Sequence, residues 1–298
     1  MKKHNVAVVG CGYWDPNLIR NFIQIPDCHM KVCCDLDAGK LQRMQNLYPA
    51  LTATSRLEDI LHDPEIDAVA IATPVHTHLP IGKICLEHHK HVLIEKPLAA
   101  SAEECLELIH LAEKHDRILM VGHTFQYAAA VNKAKEIVAS GELGEIYYIN
   151  CSRANLGLFQ SDINVIWDLA PHDISIITYI LEELPLTVNA QGKAHFKPNI
   201  EDVATVTLNF PNYDTFAEFH FAYRYGDIYT PRLSENEPLR RECEHFLECI
   251  SESKVPRSNG YAGLLVVSIL EAANKSLLKN GARQPINDDF FLLLKKVA

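Results

Sequence analysis

The 298-residue chain has no uncharged run that approaches the ~18 residues of a membrane-spanning helix, which removes that kind of segment from consideration. A basic excess is missing too. Twenty-eight Lys and Arg stand against 38 Asp and Glu, a net charge of −10. That balance argues against nonspecific binding to nucleic acid or to an anionic membrane surface. The nine cysteines are odd in number and lack metal-ligand spacing: Cys33-Cys34 is too tight for a zinc pair, and Cys243 with Cys249 lies at roughly helical spacing. They read as small buried thiols in a reducing compartment, and no metal site is expected. Internal repeats and low-complexity segments are absent. The opening Met1-Lys2-Lys3-His4 passes into a strand-like stretch that turns at Gly10, not into a signal-peptide core, so a cytosolic setting is expected.

What remains is the composition of an ordinary soluble globular protein, 48% hydrophobic and 22% charged, long enough for two cores. Residues 5–124 alternate short apolar runs with helical patterns. Strands are predicted over 5–10, 29–35, 67–73, 91–95 and 118–123, continuous in Val, Ile and Ala as strands buried on both faces should be. Helices are predicted over 17–25, 38–47, 57–61, 79–89 and 102–114, the last opened by a capping box of Ser101 and Glu104. Strand–helix alternation predicts a doubly wound parallel sheet.

After His123 the pattern changes. A helix over 128–139 ends at Ser140-Gly141, followed by more polar strand-like runs over 145–153, 187–196, 203–210 and 215–223. These predict a largely antiparallel, open-faced sheet. Helices over 237–250 and 263–279 close the pattern. The expected division is 1–124, a Rossmann-type dinucleotide-binding domain, and 125–298, an α+β substrate-binding and oligomerisation domain.

Gly10-Cys11-Gly12 follows an apolar strand, where glycine lets the backbone approach a pyrophosphate at a helix N-terminus. Asp35, at the end of the second strand, can accept hydrogen bonds from a ribose 2′-hydroxyl and would repel a 2′-phosphate, so NAD is expected over NADP. The alternative is that Asp35 or Asp37 merely caps the next helix. Lys96 follows Val92-Leu93-Ile94, at the carboxyl end of a strand, where open α/β sheets bind ligands. A lysine there can exchange a proton with a substrate hydroxyl. Asp168 and His172 share one face if helical. Because Pro171 suits only a first turn, the helix is expected to begin at Asp168 as N-cap, with Asp168 orienting the His172 imidazole for acid/base work.

The elements Val9-Gly10-Cys11-Gly12-Tyr13-Trp14, Ala72-Thr73-Pro74, Glu95-Lys96-Pro97, Val121-Gly122-His123-Thr124-Phe125 and Trp167-Asp168-Leu169-Ala170-Pro171-His172-Asp173 together resemble the Gfo/Idh/MocA family of NAD(P)-dependent oxidoreductases over nearly the whole chain. The resemblance implies a sugar or cyclitol dehydrogenase in which Lys96 and His172 transfer the hydroxyl proton, with Asp168 beside them. It also implies that Gly10, Gly12, Tyr13, Trp14, Asp35, Thr73, Pro74, His78, Glu95 and Lys96 line the cofactor site, His78 near the nicotinamide. Asn155-Leu156-Gly157 resembles members acting on UDP-N-acetylhexosamines, typically oxidising the sugar 3-hydroxyl, which makes a nucleotide sugar the expected small-molecule partner.

Two features depart from that pattern. The third fingerprint position, usually Gly or Ala, is Asp15; with Pro16 it reads as an N-cap that would repel the pyrophosphate. The second domain is short, since Ala217–Tyr223 passes directly into Arg224-Tyr225-Gly226-Asp227 where relatives carry further strands, and that sheet commonly forms the family's subunit interface. Homo-oligomerisation is therefore left open. The alternative these departures motivate is a catalytically degenerate relative that binds NAD or a sugar without turnover.

Overall fold

A computed structural model describes residues 3–12, 15–154, 163–211, 230–234 and 236–286. Six parallel strands form the first sheet: β1 (His4–Val9), β2 (Cys28–Cys34), β3 (Thr52–Thr54), β4 (Ala68–Ile71), β5 (His91–Glu95) and β6 (Leu119–Gly122), in the order β3-β2-β1-β4-β5-β6. The order reverses between β1 and β4, which opens a crevice at their carboxyl ends. Helices α1 (Asp15–Gln24), α2 (Ala38–Leu47), α3 (Glu58–Leu61), α4 (His78–Glu87) and α5 (Ala102–Lys114) make the crossovers. Asp37 caps α2 by accepting from the Gly39 and Lys40 N–H groups. Ser101 caps α5 through the Glu104 N–H at 3.2 Å, while the Glu104 carboxylate reaches one residue past the expected box, to the Ala100 N–H.

The remaining elements are α6 (Ala129–Ala139), α7 (Val165–Leu181), β7 (Thr187–Lys193), β8 (Val203–Asn209), α8 (Pro238–Glu252), α9 (Gly260–Leu278) and β9 (Gln284–Pro285). Strand β7 pairs antiparallel with both β8 and β9. Its alternate residues Val188 and Ala190 are fully buried, and the Ala190 N–H donates to Ser276 of α9 at 2.9 Å. This sheet therefore has one covered face, as its polar interleaving predicts.

The two central cores sort by the period-2 alternation of β1. Val6 and Val8 pack with Leu18 and Phe22 of α1 and with Phe246 and Leu247 of α8. Ala7 and Val9 point to the opposite face, with Leu108 of α5 and Leu264, Val267 and Leu270 of α9. Helices α8 and α9, though late in sequence, thus cover the two faces of the first sheet, and the Val121 N–H donates to the Ser258 carbonyl at 2.7 Å.

Two expectations are corrected. Residues 145–153 form no strand, and Tyr147 and Tyr148 are exposed. Their composition favours a strand, but without a paired neighbour among the described residues that preference has no ladder to stabilise it. The helix bearing the Asp/His pair begins at Val165, not at Asp168. Asn164 is its N-cap, accepting from the Trp167 N–H at 3.2 Å, and Pro171 lies inside. The expected strand at 215–223 lies outside the described residues.

Candidate active site

Strand β5 delivers Glu95-Lys96-Pro97 to its carboxyl end, with Ile94 buried behind them. The Lys96 side chain reaches α7: its Nζ donates to the Asp168 carbonyl at 2.9 Å and stands 3.8 Å from Asp168 Oδ1. Pro171 has no N–H to return to the Trp167 carbonyl, so α7 carries a local break in its ladder next to the carbonyl that Lys96 occupies. The structure brings Lys96 and Asp168 together, but it does not form the expected Asp168–His172 bond. The carboxylate turns to the lysine, and His172 Nδ1 is buried without a partner among the described residues.

Burial pushes the His172 imidazole down to about 2, with Lys96, Arg153 and the His123 ring as further causes. The ring is thus neutral over any working pH and keeps a lone pair. Phe125 meets it edge-on, the ring centroids 4.9 Å apart. Beneath lies His123, fully buried, with neither ring nitrogen partnered among the described residues. Burial, and then Lys96, pushes it down to about 4.

A buried acid stands behind this layer. Glu242 of α8 accepts from the Thr124 hydroxyl at 2.8 Å. Burial, and then the Glu95 carboxylate, raises it well above its ordinary range. The reading of the sequence did not single it out. Its signal was legible, because Glu242 lies on the apolar face of α8 that carries Leu239, Cys243 and Phe246. Arg153, which half-buried joins the same wall as Phe125, was also missed; no local pattern marks it.

On the cofactor side, Gly10 adopts φ +106°, a conformation that favours glycine, and its N–H donates to the Cys34 carbonyl at 2.8 Å. Gly12 follows in the same turn. Asp35 is not the helix cap; Asp37 is. Asp35 turns toward the glycine turn: Oδ2 accepts from the Cys11 N–H at 2.7 Å and Oδ1 from the Asp37 N–H at 2.8 Å, with Lys40 Nζ 3.6 Å away. Each carboxylate oxygen has a further lone pair for a ribose hydroxyl, so these residues fit a dinucleotide. His78 is buried between two carbonyls, Thr73 O at 2.8 Å from Nε2 and Pro97 O at 3.0 Å from Nδ1. Burial favours its neutral form, which has one N–H for the pair. Its ring ties the Thr73-Pro74 turn to the Lys96-Pro97 turn. Tyr13 and Trp14 lie outside the described residues.

Residues 4–123 match the oxidoreductase family with an NAD-binding Rossmann fold, and residues 131–234 match the GFO/IDH/MocA C-terminal domain. The chain belongs to the Gfo/Idh/MocA oxidoreductase family, and its first half is that family's NAD-binding domain. It is 28% identical over 216 residues to the uncharacterized oxidoreductase YrbE of Bacillus subtilis, covering 69% of this chain and 63% of that protein. It is 26% identical to an inositol 2-dehydrogenase of Mycolicibacterium vanbaalenii, covering 75% of this chain and 69% of the other. The crystal structure of scyllo-inositol dehydrogenase from Lactobacillus casei with bound NAD(H) and scyllo-inositol superposes with a TM-score of 0.76 at 16% identity, over 96% of this chain and 99% of that one. At that identity the likeness shows the fold alone. The chain spans less than two thirds of the length of the first curated relatives it matches, 63% and 64% for two of them.

Proposed function

We propose that the chain is an NAD-dependent dehydrogenase that interconverts a secondary alcohol and a ketone on a sugar or cyclitol, with a nucleotide sugar as the finer reading. One observation carries this: the Lys96 side chain, held by Asp168 at the carboxyl end of β5, stands beside a neutral His172 on the edge of the first sheet where open α/β sheets bind ligands. A bound nicotinamide supplies the hydride acceptor or donor. The protein supplies a place for the hydroxyl proton. Oxidation releases that proton from the alcohol oxygen into the Lys96 and His172 pair, and reduction returns it to the alkoxide oxygen from the same pair by the same path. Asp168 fixes the Lys96 amino group in place.

Asp35 supports NAD over NADP, since its carboxylate would repel a 2′-phosphate. Inositol dehydrogenases among the relatives support the sugar or cyclitol class. The Asn155-Leu156-Gly157 element that favours a nucleotide sugar lies outside the described residues.

Replacing Lys96 with alanine is expected to lower turnover by about 10²- to 10⁴-fold while NADH binding, followed by fluorescence, stays within a few-fold of the parent. Undiminished turnover would remove Lys96 from the reaction. Loss of NADH binding along with turnover would make it a cofactor residue alone.

A further inference from the structure

The proposed reaction uses Lys96, Asp168 and His172 and leaves idle a second cation in the same wall. The Arg153 Nε–H donates to the Asp173 carboxylate at 2.9 Å. The guanidinium carbon stands 4.9 Å from the centre of the Phe125 ring, and that ring meets His172 edge-on at 4.9 Å. One constraint acts at Nε and the other sets the guanidinium over the Phe125 ring, so the group is held at two points. They consume one of five N–H donors. The two terminal amino groups have no hydrogen-bond or ion-pair partner among the described residues.

Asp173 follows His172 on α7, so the helix that presents the imidazole also orients the arginine. Both half-buried acids of this turn are engaged, Asp168 by Lys96 and Asp173 by Arg153. The open edge of the guanidinium is therefore an uncommitted donor pair near His172 among the described residues. A planar fork held in this way matches two oxygens of a carboxylate or phosphate; a sugar hydroxyl gains far less from it.

We propose that Arg153 is an anion-recognising residue of the substrate site, so that the substrate is a sugar or cyclitol bearing a carboxylate or phosphate group. This rests on the dehydrogenase reading for the location of the substrate, and it adds the group that selects among substrates. The guanidinium and the His172 imidazole both contact the Phe125 ring, so the arginine stands in the same wall as the reacting group.

Calorimetric titration of the NAD-saturated protein tests this with two matched pairs. D-Glucuronate against D-glucuronamide is the carboxylate arm, and myo-inositol 1-phosphate against myo-inositol is the phosphate arm. At least one anion is expected to bind about tenfold more tightly than its neutral partner, and the stronger arm identifies the group. Arg153→Gln should erase that preference and Arg153→Lys should keep part of it, with NADH binding and melting temperature unchanged in both. A preference that survives Arg153→Gln overturns the proposal, as does the absence of any anion preference in the parent. Lys96→Ala separates the two readings. If it retains turnover, the dehydrogenase role of Lys96 fails, while an anion preference lost only in Arg153→Gln still supports the arginine's role.

Discussion

Gly122 ends β6 directly against Glu95, and the contact shows how a single small residue positions the lysine. A methyl group there would lie 2.9 Å from Glu95 Oε2 and 3.2 Å from the Glu95 Cα. The carboxylate could swing aside, but the Cα belongs to the backbone that delivers Lys96. Gly122→Ala should therefore displace the end of β5, and misplacing a reacting group by about 1 Å can cost ~10²-fold in rate. The expected result is a drop in kcat of that order with NADH affinity nearly preserved, because Gly10 and Asp35 lie just past β1 and β2. Stopped-flow turnover with fluorescence titration of NADH checks both halves, and equal losses in the two would place the effect in the cofactor site. At this scale the sequence is a good guide to which residues meet and a poor one to how they pair. The Glu95-Lys96-Pro97 turn and the Asp168/His172 spacing both lead to the same crevice. That Asp168 would turn to Lys96 was not legible, because it depends on where α7 starts, and Asn164 sets that start.

Helix α9 shows the same limit for a whole element. Apolar periodicity predicts a helix from 263, yet it begins at Gly260, where Asn259 accepts from the Ala262 N–H at 3.0 Å. The reason for two glycines in its first turns is packing, which no propensity scale contains. A Cβ on Gly263 would meet Leu98 Cδ2 and Val121 Cγ2 at 2.8 Å, and one on Gly260 would meet Ile109 Cγ1 at 2.7 Å. Helix and sheet approach closely because both positions lack a side chain. Gly263→Ala should gain up to about 1 kcal/mol of helix propensity and lose about 1–3 kcal/mol to overpacking. We expect a net destabilisation, read as a lower urea midpoint with an unchanged m-value. A more stable variant would mean that Leu98 and Val121 yield at little cost. Five strands of the first sheet were legible because their runs are short, apolar and punctuated; β3, only Thr52–Thr54, is too short and polar to carry such a pattern and was not predicted. The stretch over 145–153 misled because strand composition says nothing about whether a neighbour exists.

For the molecule as a whole, the buried ionisable groups set how stability follows pH. Burial holds His172 down to about 2, and His91 and His123 down to about 4, against ~6.5 in an unfolded chain. Below pH 6.5 the unfolded chain binds protons that the folded one refuses. Each ring therefore withdraws about 1.4 kcal/mol per pH unit as the pH falls toward its folded value. Glu242 acts in the opposite sense. Its carboxyl is raised in the fold, so the unfolded chain loses a proton above about pH 4.5 that the folded one keeps, and stability drains as the pH rises. Urea unfolding across pH should thus show a steep fall in ΔG from 6.5 to 4, driven by the histidines. Glu242→Gln preserves the shape of the protonated acid and removes its ionisation. The variant should match or trail the parent near pH 4 and exceed it at pH 8. A pH-independent difference between the two proteins would show that Glu242 is already ionised in the fold, and its burial beside Glu95 would then need a cation.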